Sequence, residues 1–414
     1  MQRPLSITNI PLIIAWAIAA FVSIQSIYVA FFGPWDSAYG LNLLVGAVIA
    51  TIFAACIRFT QVAYLMEQTL YFFTSFDVWL ALGGTAVLLE ATRRLFGLPI
   101  VIIAILTLIY CFFGSSLPGF LNHPGISADR AMDTIWYGYQ GVFGAPTSVV
   151  IRVVLIFVVF GVVLEGTGAS DTLIRISVAL TGKTRGGPAH SAVVASALLG
   201  SMSGSVTANV VGSGTFTIPM IKRRGFPAAT AGGIEAAAST GGQIMPPVMG
   251  AAAFMMSDLT GEPYTTIALA ALVPALFYYG ALFAAVSVDA NAAGIHPIPE
   301  SERIALTRAD YIASIQFLVP ILSIIFVLLL GRSPTMAGLV AVTLALVLGL
   351  FRKKNRSSLK LYWDIAVRAG IACASILVAV GCIGIILGVM NLTGVGLSFA
   401  SMISSLSEES LLWS

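Results

Sequence analysis

Residues 186–226 read GGPAHSAVVASALLGSMSGSVTANVVGSGTFTIPMIKRRGF, and residues 227–256 continue PAATAGGIEAAASTGGQIMPPVMGAAAFMM. Glycine, serine, threonine and paired prolines stand here where a membrane protein should carry unbroken apolar helix. Lipid cannot hydrogen-bond a free N–H or C=O, so irregular backbone at membrane depth survives only inside protein or beside a watery cavity. A binding site is the expected reason for the interruption.

The surrounding chain is a membrane protein by composition. It is 58% hydrophobic and 9% charged, with a mean hydropathy of +0.96, far outside the soluble range. A net charge of +3 implies no nucleic-acid partner; the lipid bilayer is the medium. Apolar runs near 10–32, 41–57, 76–92, 97–114, 147–168, 228–256, 264–288, 311–330, 334–351 and 365–391 are long enough to cross about 30 Å at about 1.5 Å per residue. The first is too long for a signal-peptide core and lacks a small-residue cleavage site, so it reads as a membrane helix. Gln61 to Ser75 is too short and mixed to count as a span, which leaves the side of the N-terminus open. Basic clusters at Arg93-Arg94, Lys183 to Arg185, Lys222 to Arg224, Arg303 to Arg308 and Arg352 to Arg356 define one inside face.

Positive charge flanks both ends of the stretch from Arg185 to Lys222, so the chain must leave and return on one side. Arms at 191–199 and 210–221 would each be roughly 14–18 Å of helix, about half a bilayer. A re-entrant hairpin over about 188–222 is predicted, its tip at Ser201 to Asn209; two ordinary helices joined by a tight turn are the alternative. The next run, 228–256, is interrupted at Ser239 to Pro247. Pro246 and Pro247 lack N–H donors and the glycines let the chain unwind. A broken helix with carbonyls and half-helix ends free for an ion or an anion is predicted, against the alternative of a simple proline kink.

Other polar residues carry less. Between Ser115 and Thr147 the rings of Trp136, Tyr137 and Tyr139 suit an interfacial helix on the outer side. His123, His190 and His296 fall in loops or at interfaces without metal or catalytic spacing and read as solvated. Cys56, Cys111, Cys373 and Cys382 sit in apolar runs and read as buried free thiols. Glu165 and Glu235 are acidic residues within spans and so candidates for function; Glu235, about two turns from Arg224, equally suits an ion pair or a solvated position. No span holds a constellation able to do acid–base or nucleophilic work, which excludes a membrane enzyme.

Gly161 to Ala169 (GVVLEGTGA) resembles Gly388 to Val395 (GVMNLTGV) with one residue of slippage, an offset of about 226, the kind of inverted repeat by which secondary transporters place a site at the midplane. The same offset puts a second tip near 425–435, beyond Ser414, so a C-terminally truncated copy is expected that inserts but does not transport alone.

One family gathers these features. The segments Leu89 to Arg94, Leu180 to Lys183, Gly187 to Ala189, Val194 to Ala197, Ser203 to Val211 (SGSVTANVV), Phe216 to Met220 and Glu235 to Phe254 (EAAASTGGQIMPPVMGAAAF) together resemble the large membrane subunit of tripartite ATP-independent periplasmic (TRAP) transporters, DctM-like, in the fused form served by TAXI-type solute-binding proteins. The resemblance is strong over about 89–300 and loose over 300–414. It implies an all-α polytopic, inverted-repeat elevator-type transporter of a bacterial or archaeal cytoplasmic membrane. Residues 1–94 would be a small-subunit-like scaffold, 95–300 the first repeat of the transport domain, and 301–414 the start of a truncated second. The N-terminal region is shorter than usual and the second hairpin and broken helix are absent.

The implied activity is sodium-coupled import of a small organic anion, such as a dicarboxylate, from a periplasmic TAXI-type binding protein, with no cofactor beyond the coupling ion. The family's sodium at the hairpin tip maps onto Ser203, Ser205, Thr207 and Asn209 beside carbonyls at Thr240, Gly241 and Gly242; close helix packing is the alternative reading of the serines. Substrate contacts are expected from Ser205, Thr207, Gln243 and Pro246, with Gln243 donating to a carboxylate near the half-helix N-terminus. An anion:sodium symporter of similar architecture that needs no binding protein, or a channel, are the rival functions.

Overall fold

The computed structural model describes residues 39–68, 71–300, 305–352, 359–399 and 401–402. The expected span 10–32 and the closing Leu411 to Trp413 lie outside them. Regular structure among the described residues is helical throughout: α1 (Tyr39–Gln68), α2 (Ser75–Phe96), α3 (Leu98–Phe113), α4 (Ala128–Met132), α5 (Ala145–Gly166), α6 (Ala169–Thr181), α7 (Gly187–Ser203), α8 (Val206–Arg223), α9 (Ala228–Gly241), α10 (Ala251–Thr260), α11 (Tyr264–Ala292), α12 (Arg308–Leu329), α13 (Pro334–Phe351) and α14 (Leu359–Thr393). Six are long and apolar enough to cross a membrane: Leu98–Ser116, α5, α11, α12, α13 and α14. The fold is thus an all-α polytopic membrane protein. The expected span 76–92 forms within α2, but Asp77, Glu90, Arg93 and Arg94 leave that helix outside the apolar six.

The chain divides into two compact units, residues 1–151 with 370–414, and Arg152–Ala369. Compactness is a different criterion from the subunit and repeat division at 94/95 and 300/301 expected above.

In the first unit a core forms from Phe59, Val62, Val78, Cys111, Met132, Ile135, Trp136, Tyr137, Ile385 and Val389. The rings expected at an interface are inside it: Trp136 and Tyr137 are buried and only Tyr139 is exposed. The reason is tertiary. Gly84 leaves no room for a Cβ, which would lie 2.3 Å from the Trp136 ring, and the Tyr137 hydroxyl donates to the Asp77 carbonyl at 3.0 Å. The Asp77 side chain caps α2 together with Thr74 and takes bonds from Arg58 Nε and Tyr71 OH, each at 2.7 Å, so a buried carboxylate is fully engaged. Gln61 to Gln68 continues α1 instead of ending it.

The second unit holds the unusual stretch. Helices α6 to α9 pack on one another, α11 lies against α7 and α9, and α12 and α13 pair with each other, α13 also lying on the second half of α5. Its core joins Ala189, Val193, Ile221, Ala231, Ile234, Ala238, Tyr279 and Val286; the many alanines allow backbones to approach closely where polar side chains must also meet. His190 is not solvated as expected but buried in the first turn of α7: Nδ1 is 2.6 Å from Thr184 Oγ1, and Nε2 is 3.1 Å from the Phe283 carbonyl. His123 is likewise buried, its two ring nitrogens each 3.0 Å from a carbonyl, those of Pro124 and Tyr110. Cys111, Cys373 and Cys382 are buried free thiols as expected, whereas Cys56 is half-buried.

Candidate functional site

A helix–turn–helix hairpin forms here with a tight turn, the alternative reading, rather than two half-bilayer arms at 191–199 and 210–221 around a nonapeptide tip. Its arms are α7 and α8, 17 and 18 residues, or about 26 Å each at about 1.5 Å per residue; only Gly204 and Ser205 lie between them. The polar nonapeptide is largely helical, and Ser201 Oγ bonds within the helix, donating to the Leu198 carbonyl at 2.8 Å, the back-bonding open to serine in a helix. The chain turns at Gly204, whose φ of 60° is left-handed and whose absent Cβ would sit 1.8 Å from the Met249 carbonyl oxygen. Ser205 then caps α8, its hydroxyl accepting from Ala208 N at 3.3 Å.

The broken helix matches the expectation closely. Helix α9 ends at Gly241 and α10 begins at Ala251, so residues 242–250 are unwound. Tyr264 holds this segment, its hydroxyl placed 2.9 Å from the Pro247 carbonyl and 2.5 Å from that of Val248. Met249 takes a φ of 60°, a strained value for a residue with a side chain.

Tip and break meet directly. Val248 N–H donates to the Ser201 carbonyl at 3.1 Å. Gly200 on α7 and Gly242 at the end of α9 touch backbone to backbone, and a Cβ built on Gly200 would also lie 3.0 Å from Asn209 Nδ2. Of the expected residues, Asn209, Gly241 and Gly242 are buried here, Ser203, Ser205 and Pro246 are half-buried, and Thr207, Thr240 and Gln243 are exposed. Asn209 Nδ2 donates to the Ser196 carbonyl at 2.8 Å, while Oδ1 is buried without a partner. Because a carbonyl only accepts, that bond fixes the amide with its oxygen turned the other way. Thr240 Oγ1 instead donates to the Ala236 carbonyl one turn back.

Beneath the tip is a cluster that sequence reasoning placed differently. Glu235 is fully buried and is held by hydroxyls, not by Arg224: Ser196 Oγ at 3.0 Å, Thr217 Oγ1 at 2.5 Å, Ser239 Oγ at 3.4 Å and Ser213 Oγ. Gly214 gives its stem room, a built Cβ lying 3.2 Å from Glu235 Cγ. The signal was present in the spacing, since Asn209, Ser213 and Thr217 recur every four residues on α8, and Glu235 and Ser239 do so on α9. Thus Glu235 engages the Ser196 hydroxyl, the Ser196 carbonyl engages Asn209, and the Asn209 oxygen is presented to the space under the tip. Glu165 pairs with Arg368 at 3.3 Å, both partly exposed.

Comparison with known proteins fits this architecture. The family model of the tripartite ATP-independent periplasmic transporter, DctM component, matches residues 83–413. Over 232 residues, 55% of this chain and 51% of the relative, it is 27% identical to the uncharacterized protein YgiK of Salmonella typhimurium. It is 26% identical over 199 residues to the sialic acid TRAP transporter permease protein SiaT of Haemophilus influenzae, covering 48% of this chain and 32% of that one. It is 29% identical over 202 residues to the C4-dicarboxylate TRAP transporter large permease protein DctM of Pseudomonas aeruginosa, 47% of this chain and 45% of that protein. The chain therefore spans about half the length of YgiK and DctM and about a third of SiaT. A match over most of the sequence, on a protein with six apolar helices among its described residues, a tight hairpin and a broken helix, has one meaning: the chain belongs to the DctM component of the TRAP transporters, multi-pass proteins of the inner membrane.

Proposed function

We propose that this chain is the permease of a sodium-coupled importer that takes a small carboxylate from a TAXI-type periplasmic binding protein and carries it by an elevator motion of the hairpin and broken helix. The observation that carries the reading is the meeting of tip and break at Gly200, Gly242, Ser201 and Val248. Two interrupted helices there bring together unwound backbone, the half-buried Ser203 and Ser205 and the unpartnered Asn209 oxygen. Hard neutral oxygens of this kind suit an alkali cation, and the helix start after the break suits an anion. Exposed Thr207, Thr240 and Gln243, with Pro246 beside them, supply polar groups for the substrate at the same end of the hairpin. A carboxylate is favoured because two relatives are named for sialic acid and for C4-dicarboxylates, and both ligands bear that group.

The test is uptake of labelled succinate and sialic acid into proteoliposomes under inward sodium or potassium gradients, with and without the binding protein. Uptake that needs both sodium and the binding protein is expected. Equal uptake in potassium overturns the coupling, and equal uptake without the binding protein favours the simpler symporter.

A further inference from the structure

The open end of the hairpin gathers basic charge from two separate stretches of chain. Between Asp171 and Glu235 stand six basic residues and no acidic one. Arg175 is paired with Asp310 of α12 at 3.0 Å; the other five fall in two groups, Lys183 with Arg185 before α7 and Lys222 to Arg224 at the end of α8. The two arms pack side by side and run in opposite directions, so both groups come to one end. Packing fixes them there. A Cβ on Gly186 would lie 2.8 Å from Ala290 and 3.5 Å from the Phe226 ring, and Ala189, Ile221 and Phe226 share one core. Lys183, Arg185, Lys222 and Arg223 are all exposed. Arg185 Nη1 donates to the Asn291 amide oxygen of α11 at 3.0 Å, a neutral partner that orients the guanidinium without cancelling its charge. Against these four cations α11 carries a single carboxylate, Asp289.

An apolar stripe leads down α8 to this charge. Val211, Thr215, Pro219 and Lys222 are exposed and succeed one another at steps of four, four and three residues, with exposed Phe216 and Arg223 beside them, so they line one face of the helix. The buried Ser213 and Thr217, which hold Glu235, lie on the opposite face. Val211 and Phe216 are 60% and 56% exposed, and Leu180, one turn before Lys183, is 65% exposed. Large apolar side chains left open beside a basic end fit acyl chains below a headgroup, whereas a free phosphate in water would use the charge alone. We propose that the base of the hairpin binds an anionic phospholipid of the inner leaflet, its phosphate held between Lys183 and Arg185 on one side and Lys222 and Arg223 on the other, its acyl chains along Val211 and Phe216. Arg185 keeps most of its five donors for the phosphate, since Asn291 takes a bond from Nη1 only. The side of the membrane follows from the basic clusters; the binding rests neither on sodium coupling nor on the substrate. A lipid held here ties the open end of the hairpin to the membrane surface.

The test is thermal unfolding of the detergent-solubilised chain as lipid is titrated in, a measurement of binding that needs no transport. Phosphatidylglycerol should raise the unfolding temperature, because a ligand bound only by the folded state stabilises it. Phosphatidylcholine with the same acyl chains should not, and neither should inorganic phosphate. Lys183→Gln, Arg185→Gln, Lys222→Gln and Arg223→Gln should each weaken the apparent affinity for phosphatidylglycerol about fivefold, and Lys222→Arg should keep it. Arg308→Gln removes an exposed cation of the same membrane side, on α12 and away from the hairpin's base, and should change nothing. A response to phosphatidylcholine or to inorganic phosphate as large as that to phosphatidylglycerol overturns the proposal. So does an Arg308→Gln variant as weak as Lys222→Gln, which would make the effect one of general surface charge, or an unchanged affinity in all four glutamine variants. Should those variants fail to accumulate in the membrane, the parent decides: stabilisation by phosphatidylglycerol should fade as salt is raised, and stabilisation undiminished by salt rejects the basic cluster as the site.

Discussion

Gly200 and Gly242 are in backbone contact: a Cβ built on either would lie 2.5 Å from the other's Cα. The hairpin and the broken helix approach each other only because both positions lack a side chain. Gly200→Ala or Gly242→Ala should therefore destabilise the protein by about 1–3 kcal/mol, the usual cost of overpacking. Gly232 and Gly233 on α9 have open space around a Cβ, so alanine there should stabilise by about 0.5–1 kcal/mol. Thermal unfolding of the four variants checks the pair of signs, and a Gly200→Ala variant as stable as its parent contradicts the packing.

The hydroxyls around Glu235 rank by geometry. Glu235→Gln places an amide donor among groups that already donate and should cost about 1–3 kcal/mol, Ser213→Ala should cost about 1 kcal/mol, and Ser239→Ala, whose bond is 3.4 Å, the least. Equilibrium or thermal unfolding in detergent gives the order. A Ser239→Ala variant as damaging as Glu235→Gln would show that the cluster is not centred on the carboxylate.

Asn209→Ala removes the presented oxygen and leaves the Ser196 carbonyl without its donor. The sodium concentration for half-maximal uptake should rise by about tenfold, the effect of losing about 1.4 kcal/mol, with a smaller change in the substrate concentration needed. The sodium dependence of uptake by parent and variant decides it, and an unchanged half-saturation point removes Asn209 from the ion site.

Tyr264→Phe deletes the hydroxyl that holds the Pro247 and Val248 carbonyls. The amides of residues 243–245 and 248–250 should then exchange with deuterium about tenfold faster, as a local opening cheaper by about 1.4 kcal/mol implies. Unchanged exchange there would mean that the Val248 bond to Ser201 holds the break by itself.

Lys183 precedes the hairpin and Lys222 closes it, and the two-residue turn returns α8 beside α7. Cysteines placed at 183 and 222 should both react from the cytoplasmic side with a membrane-impermeant maleimide in inverted vesicles and be spared in intact cells. Opposite accessibility of the two would defeat the hairpin topology.

Sequence alone located the break well, because Pro246-Pro247 and the glycines before them act on the backbone directly, whatever packs nearby. It misjudged the tip for the converse reason. Ser201, Ser203, Thr207 and Asn209 look like turn residues, yet a buried serine or asparagine keeps its helix when a carbonyl lies in reach, as Leu198 and Ser196 supply here. Where a polar residue finds its partner on another helix the sequence was poorest. Trp136 needs the gap at Gly84, His190 needs the Phe283 carbonyl, and Glu235 needs hydroxyls from α7 and α8 rather than Arg224. Those contacts span from 18 to 93 residues, and only the four-residue spacing on α8 and α9 betrayed the last.

The bond from Val248 N–H to the Ser201 carbonyl decides what kind of door this hairpin can be. Lifting the tip by itself would strand that donor and acceptor, and would pull Gly204 from the Met249 carbonyl it nearly touches, in surroundings with little water to replace them. A flap that swings open on two glycines is thus an expensive motion. If the hairpin moves during transport as proposed, the cheaper motion would keep the seam shut and carry both halves of the cradle as a single passenger, so that either side of the membrane would meet the whole site, already assembled.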